Sequence, residues 1–278
     1  MATNVSTLGP AAPEDALRFT FVEMLFALAV SQVAMSAADL ASLKEITWDA
    51  SPAISHLILS LVVIATSWVG WRRSQSPGAK PPIASIFGIR FMELLIDVAL
   101  VIVYFMLVKS VEIEQVYGNP VPELKKPPSA MPEAGWISVI FAAYALWDLI
   151  ADVFSPGCLK PGGQATRSFL KVCAVVVVSV ASSVTCLALS LLVFRNAQGA
   201  LSIPQVVVFD LALLFVVLLF RVLKTIENPL SEWLGVDQYK AFFPARPPQT
   251  RTESKDFKVI AWLASAYILC LVVACRFG

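Results

Sequence analysis

The stretch Phe91-Met92-Glu93-Leu94-Leu95-Ile96-Asp97-Val98-Ala99-Leu100-Val101-Ile102-Val103-Tyr104-Phe105-Met106-Leu107-Val108 decides the fold class. It is an apolar run without Gly or Pro, close to the ~20 residues that carry a helix across ~30 Å of hydrocarbon. Two carboxylates, Glu93 and Asp97, sit in it four residues apart and so share one helical face. A charge in hydrocarbon is costly and is rarely found there without a partner, a water-filled cavity or a task. The run therefore reads as a membrane helix whose polar face turns into a bundle.

Working outward, similar runs recur at 19–40, 53–71, 136–154, 169–194, 204–223 and 258–275. With 91–108 as the third, seven spans are expected. Hydrophobic residues make up 58% and charged residues 15% of the 278-residue chain. Mean hydropathy is +0.75, and soluble domains carry about 25% charged residues. The expected fold class is all-α, a polytopic membrane helix bundle. Net charge is +1, which argues against a nucleic-acid-binding surface. The five cysteines (Cys158, Cys173, Cys186, Cys270, Cys275) lie in or beside spans, without CxxC or Cys/His spacing. They read as packing residues, so no cofactor, zinc site or disulfide framework is expected.

Orientation follows from the basic residues. With a cytoplasmic N-terminus, only Lys44, Lys109, Lys125, Lys126, Arg195 and Arg276 of the 21 Lys and Arg fall on the outer side. That is a positive-inside asymmetry, and it agrees with an odd number of spans. Residues 1–18, with Gly9, Pro10 and Pro13, read as a polar tail rather than a signal peptide, leaving 19–278 as the transmembrane domain. The outer loop 109–135 is rich in proline and reads as an extended cap. The inner segment near 229–243 carries Trp233, Tyr239, Phe242 and Phe243 among charges, the pattern of a short interfacial helix.

Six carboxylates lie inside the spans: Glu23, Glu93, Asp97, Asp148, Asp152 and Asp210. Asp148 and Asp152 are again four residues apart. Counted from the inner boundary, Glu93 and Asp152 share a shallow depth, with Asp97 and Asp148 about one turn deeper. Arg90, Arg167, Lys171, Arg221 and Lys224 belong to the same level. A polar network of Arg18, Glu23, Arg90, Glu93, Asp97, Asp148, Asp152 and Arg167 is expected there, with helix-to-helix clamping favoured over a substrate site. Asp210 stands apart toward the outer side. His56, the one histidine, is expected in a hydrogen-bonded packing role. Ser179, Ser182, Ser183, Cys186 and Ser190 form a small stripe on the fifth span, expected to pack against a neighbour.

The first span reads Phe21-Val22-Glu23-Met24-Leu25-Phe26-Ala27-Leu28-Ala29-Val30-Ser31. Beyond Glu23, the residues Ala27, Ser31, Ala34 and Ala38 form a small-residue stripe that permits close helix approach. Leu28, Gln32 and Met35 run beside it. The segment 21–29 resembles the first-helix signature of the TMEM175-type potassium channels, a Phe-Ser-Asp followed by an apolar run. In that family such helices line the pore. The resemblance matches Phe21 and Glu23 to the signature Phe and Asp, Leu28 to the bulky aliphatic constriction and Ser31 to a pore-facing Thr. Val22 stands where the signature has Ser, and Glu23 where it has Asp. The same helix through Val33 is similar to the opening of the low-temperature-requirement A family.

These readings assign Leu28, Ser31, Gln32 and Met35 as pore-lining residues of an oligomeric ion channel. The implied partners are the bilayer, further copies of the chain and a monovalent cation, in a plasma or bacterial inner membrane. No catalytic residue is assigned. An ion-coupled transporter, a lipid-modifying enzyme using the inner acids, and a signal-responsive effector without catalysis stay open as alternatives. The enzyme reading lacks the Asp-Gly and Ala-Arg elements of its motifs, and the transporter reading lacks broken helices.

Overall fold

The computed structural model describes residues 13–43, 47–74, 88–110, 113–114, 123–124, 129–150, 165–233 and 253–276. Side chains are described at 20–43, 47–72, 88, 91–110, 129–150, 177–225 and 258–276. The helices are α1 (Pro13–Ala41), α2 (Ser51–Ser74), α3 (Ile89–Lys109), α4 (Met131–Asp148), α5 (Ala165–Asn196), α6 (Ile203–Trp233) and α7 (Glu253–Arg276). A single 3-10 turn, Trp48–Ala50, leads into α2. Between α3 and α4, the two-residue strands β1 (Ile113–Glu114) and β2 (Glu123–Leu124) pair antiparallel.

Six of these helices are long and apolar enough to cross a membrane, and the chain is an all-helical, multi-pass membrane protein. Helix α4 is the exception to the expected seven. It spans 18 residues and carries Glu133, Gly135 and Asp148, which lower its hydropathy. Its place in the bundle comes instead from packing against α3 and α5. It also starts earlier than expected, inside the stretch read as a proline-rich loop. Pro132 occupies the first turn of the helix. Proline is accepted there because the N–H it lacks would have had no intrahelical partner.

Helix α6 forms the middle of the bundle, touching α2, α4, α5 and α7. Half of its membrane window is buried, against 17% for α7. Its buried face is Val206, Phe209, Leu213, Val216 and Phe220, recurring every three or four residues. Helix α7 packs mainly on α6. It is tied by Gln205 Nε2 donating to the Ala274 carbonyl (3.0 Å) and by Tyr267 Oη donating to the Leu189 carbonyl (2.9 Å). Helix α1 packs on α2 and α3 through Val22, Phe26, Ala29, Val33 and Leu40. The Phe26 ring lies 5.9 Å from both Trp71 and Tyr104.

In lipid the hydrophobic effect does not drive helices together, so close packing and polar ties carry more of the association. The serine stripe of α5 acts in this way. Ser190 bonds Ser138 of α4 at 2.8 Å, Ser183 donates to Asp148 at 2.9 Å, and Cys186 Sγ lies 3.8 Å from the Val216 carbonyl. The connection between α5 and α6 turns through Gly199, whose φ of +113° disfavours any residue with a Cβ. Residues 229–233 of the expected interfacial segment are the end of α6, and 234–243 lie outside the described residues.

Candidate functional site

Two polar layers cross the bundle, both anchored on α2. The first sits near the start of that helix. Ser55 Oγ donates to Asp210 Oδ2 of α6 at 2.5 Å. One residue on, His56 Nε2 lies 3.1 Å from the Leu107 carbonyl of α3, and Nδ1 lies 2.6 Å from Glu133 Oε1 of α4. Both His56 and Glu133 are fully buried. A carbonyl only accepts, so Nε2 carries a proton. Nδ1 and a carboxylate oxygen at 2.6 Å then need a proton between them. The pair therefore exists as imidazolium with carboxylate, or as imidazole with carboxylic acid. In both forms it is neutral overall and binds three helices at one level.

The second layer lies twelve residues further along α2, about 18 Å at 1.5 Å per residue. Ser67 Oγ donates to the Val63 carbonyl at 2.5 Å, contacts the Tyr144 hydroxyl, and accepts from Arg221 Nη2 at 3.2 Å. Tyr144 also bonds Tyr104 Oη at 3.0 Å. Since Ser67 has a single proton and gives it to Val63, Tyr144 donates to Ser67 and Tyr104 donates to Tyr144. This ordered chain links α3, α4, α2 and α6. The Tyr144 ring stacks on Phe220 at 5.1 Å with an interplanar angle of 3°. Tyr144→Phe deletes two of these bonds and keeps the stack. It is expected to lower stability by about 1 kcal/mol, read by unfolding in mixed micelles.

The expected inner acids occupy this second layer but face different neighbours. Asp97 accepts from Trp71 Nε1 of α2 at 3.1 Å. Asp148 takes Lys224 Nζ of α6 at 2.8 Å and Ser183 of α5 at 2.9 Å, and Lys224 also donates to Ser179. Glu93 is buried on α3. Glu23 pairs with Arg72 at 3.7 Å, with half-exposed side chains. Arg72 in turn lies 5.4 Å over the Trp68 ring. The side chains of Arg18, Arg90, Asp152 and Arg167 lie outside the described residues.

Sequence reasoning missed Ser55, Ser67, Tyr104, Tyr144 and Glu133. The first four are neutral residues in apolar runs and carry no charge signal. Glu133 was set aside with the loop because Pro132 precedes it.

No protein-family model matches this chain, and no curated protein or solved structure matches it significantly. Any functional reading therefore rests on the chain's own residues.

The residues assigned to a pore lie on α1. Leu28 is 54% and Met35 62% exposed, and Ser31 is exposed beside them with its hydroxyl donated to the Ala27 carbonyl at 2.9 Å. Gln32 is partly buried at the edge of this face. Ala27, Ala34 and Ala38 are exposed with them, so the whole small-residue stripe points away from the bundle. Within the bundle, a cavity at the second layer offers only about 10 Å³. Among the described residues no group of three or more His, Cys, Asp or Glu is placed to hold a metal ion.

Proposed function

We propose that this chain is one subunit of an oligomeric ion channel, in which α1 helices of several copies line a shared pore. The observation that carries the reading is the outward placement of Leu28, Ser31 and Met35 together with the stripe Ala27, Ser31, Ala34 and Ala38. Small residues let helices approach closely, and Leu28 is the bulky side chain at the level where they would meet. A pathway between subunits needs no wide channel through the protomer, which fits the tightly packed second layer. The proposed arrangement has seven spans, α4 being a short one held by its neighbours, with a cytoplasmic N-terminus as the distribution of Lys and Arg favours. The permeant species is a monovalent cation, the location a plasma or bacterial inner membrane, and no catalysis is involved.

Potassium flux into liposomes carrying the purified protein tests this. Leu28→Ala is expected to raise flux severalfold by widening the constriction, and Leu28→Trp to abolish it. Unchanged flux in both variants, with normal reconstitution, overturns the assignment.

A further inference from the structure

Arg221 lies late in α6 and reaches across to α2, where Gly70 makes room for it. A Cβ at that position would stand 2.4 Å from Arg221 Nη1. The guanidinium carbon sits 5.4 Å from the Phe220 ring and 5.9 Å from the Tyr144 ring, and Nη2 donates to Ser67. Arg221 Nε is buried without an acceptor. Among the described residues no carboxylate pairs with Arg221. The nearby acids are engaged elsewhere, Asp97 with Trp71 and Asp148 with Lys224 and Ser183. Beside the guanidinium is the cavity of about 10 Å³, lined by Arg221, Thr66, Ser67 and Tyr144 on its polar side and by Phe141 and Val217 among its apolar walls.

A guanidinium cannot shed its charge by losing a proton. Arg221 is partly buried, and on the side of its buried Nε it stands among apolar side chains, where aromatic faces with one neutral hydroxyl supply only part of the compensation it needs. The room beside it is on the scale of one water or one monatomic ion. A phosphate or carboxylate is too large. Water would accept from Nε–H but leave the charge uncompensated, whereas a halide does both.

We propose that this cavity binds a monatomic anion of the chloride class, held by Arg221 Nε–H, as the counter-ion of the α6 guanidinium. The site joins α2 and α6 in the middle of the bundle, so its occupancy stabilises the packing of those two helices. It stands apart from the channel reading and does not depend on it.

The test compares the purified protein in chloride, bromide and gluconate buffers of equal ionic strength. Chloride and bromide are expected to raise Tm saturably, by about 2–4 °C over gluconate. Gly70→Ala favours the helix but forces the guanidinium aside, so it is expected to fold and to lose the halide effect. Arg221→Gln is expected to lose it as well. Equal Tm in all three anions for the unaltered protein overturns the proposal, and so does a halide shift that survives Gly70→Ala. Should Arg221→Gln fail to fold, bromide anomalous scattering from the unaltered protein decides. A peak beside Arg221 Nε supports the site, and a water there or a halide only elsewhere overturns it.

Discussion

Glu133→Ala is expected to cost about 3–5 kcal/mol, because it leaves His56 buried with an unanswered ring nitrogen. His56 and Glu133 are each fully buried, their atoms meet at 2.6 Å, and the other ring nitrogen is already committed to the Leu107 carbonyl. Removing the carboxylate leaves either an uncompensated imidazolium or a neutral ring whose Nδ1 lone pair has lost its proton donor. Glu133→Gln behaves differently, since an amide N–H can donate to Nδ1 of a neutral imidazole. It is expected to remain within about 1–2 kcal/mol of the unaltered protein. Thermal unfolding in detergent reads the contrast, with Tm lowered by about 10 °C or more in the alanine variant. The paired change His56→Leu with Glu133→Leu, which removes both polar groups, is expected to be milder than Glu133→Ala alone. If the double change is the worse of the two, the buried pair contributes net stability beyond satisfying itself, and the argument from desolvation fails.

Asp148→Ala is the second large effect, expected at about 2–3 kcal/mol. Asp148 takes bonds from Lys224 and Ser183, so one carboxylate ties α4 to both α5 and α6. Its side chain is 8% exposed and that of Lys224 is 22% exposed. Partial access of the lysine moderates the cost of stranding a buried charge. Asp148→Asn keeps an acceptor for Ser183 and is expected to recover part of the loss. Glu23→Ala supplies the comparison. The Arg72–Glu23 contact is longer, at 3.7 Å, with side chains 56% and 33% exposed. Its removal is expected to change stability by less than about 0.5 kcal/mol. Parallel unfolding curves of the two alanine variants check the ranking, and equal effects would refute it. The physical distinction is burial: the same pair of charges is worth different amounts in the two settings.

Much of the fold was legible because hydropathy is read along one dimension. A run such as 91–108 declares a membrane helix by its own length and composition, whatever surrounds it. Residue spacing likewise placed Glu93 with Asp97 on one face of α3, and both are buried. Helix α4 shows where that reading ends. Its described residues fall short of an independent span, and its packing against α3, α5 and α6 explains its burial. The same holds for Pro132, which read as a loop breaker and turned out to open a helix.

The candidate sites divide along the same line. For α1 the stripe Ala27, Ser31, Ala34 and Ala38 could be named from the sequence, because small residues at helical spacing are a local pattern, but whether it packs into the bundle or turns outward was decided by the structure. Which acids would meet which bases could not be named. Asp97 turns to Trp71 of α2 and Asp148 to Lys224 of α6. Arg221 looked like one more inner-side base until its place against Gly70 appeared. The membrane helices were determined by the sequence alone, since the length and hydropathy of a run depend only on position along the chain. The pairings His56 with Glu133, Ser55 with Asp210 and Tyr144 with Ser67 were decided by the tertiary structure. A partner across a bundle depends on how each helix is rotated about its axis and which helix stands beside it, and no spacing within one helix contains that information.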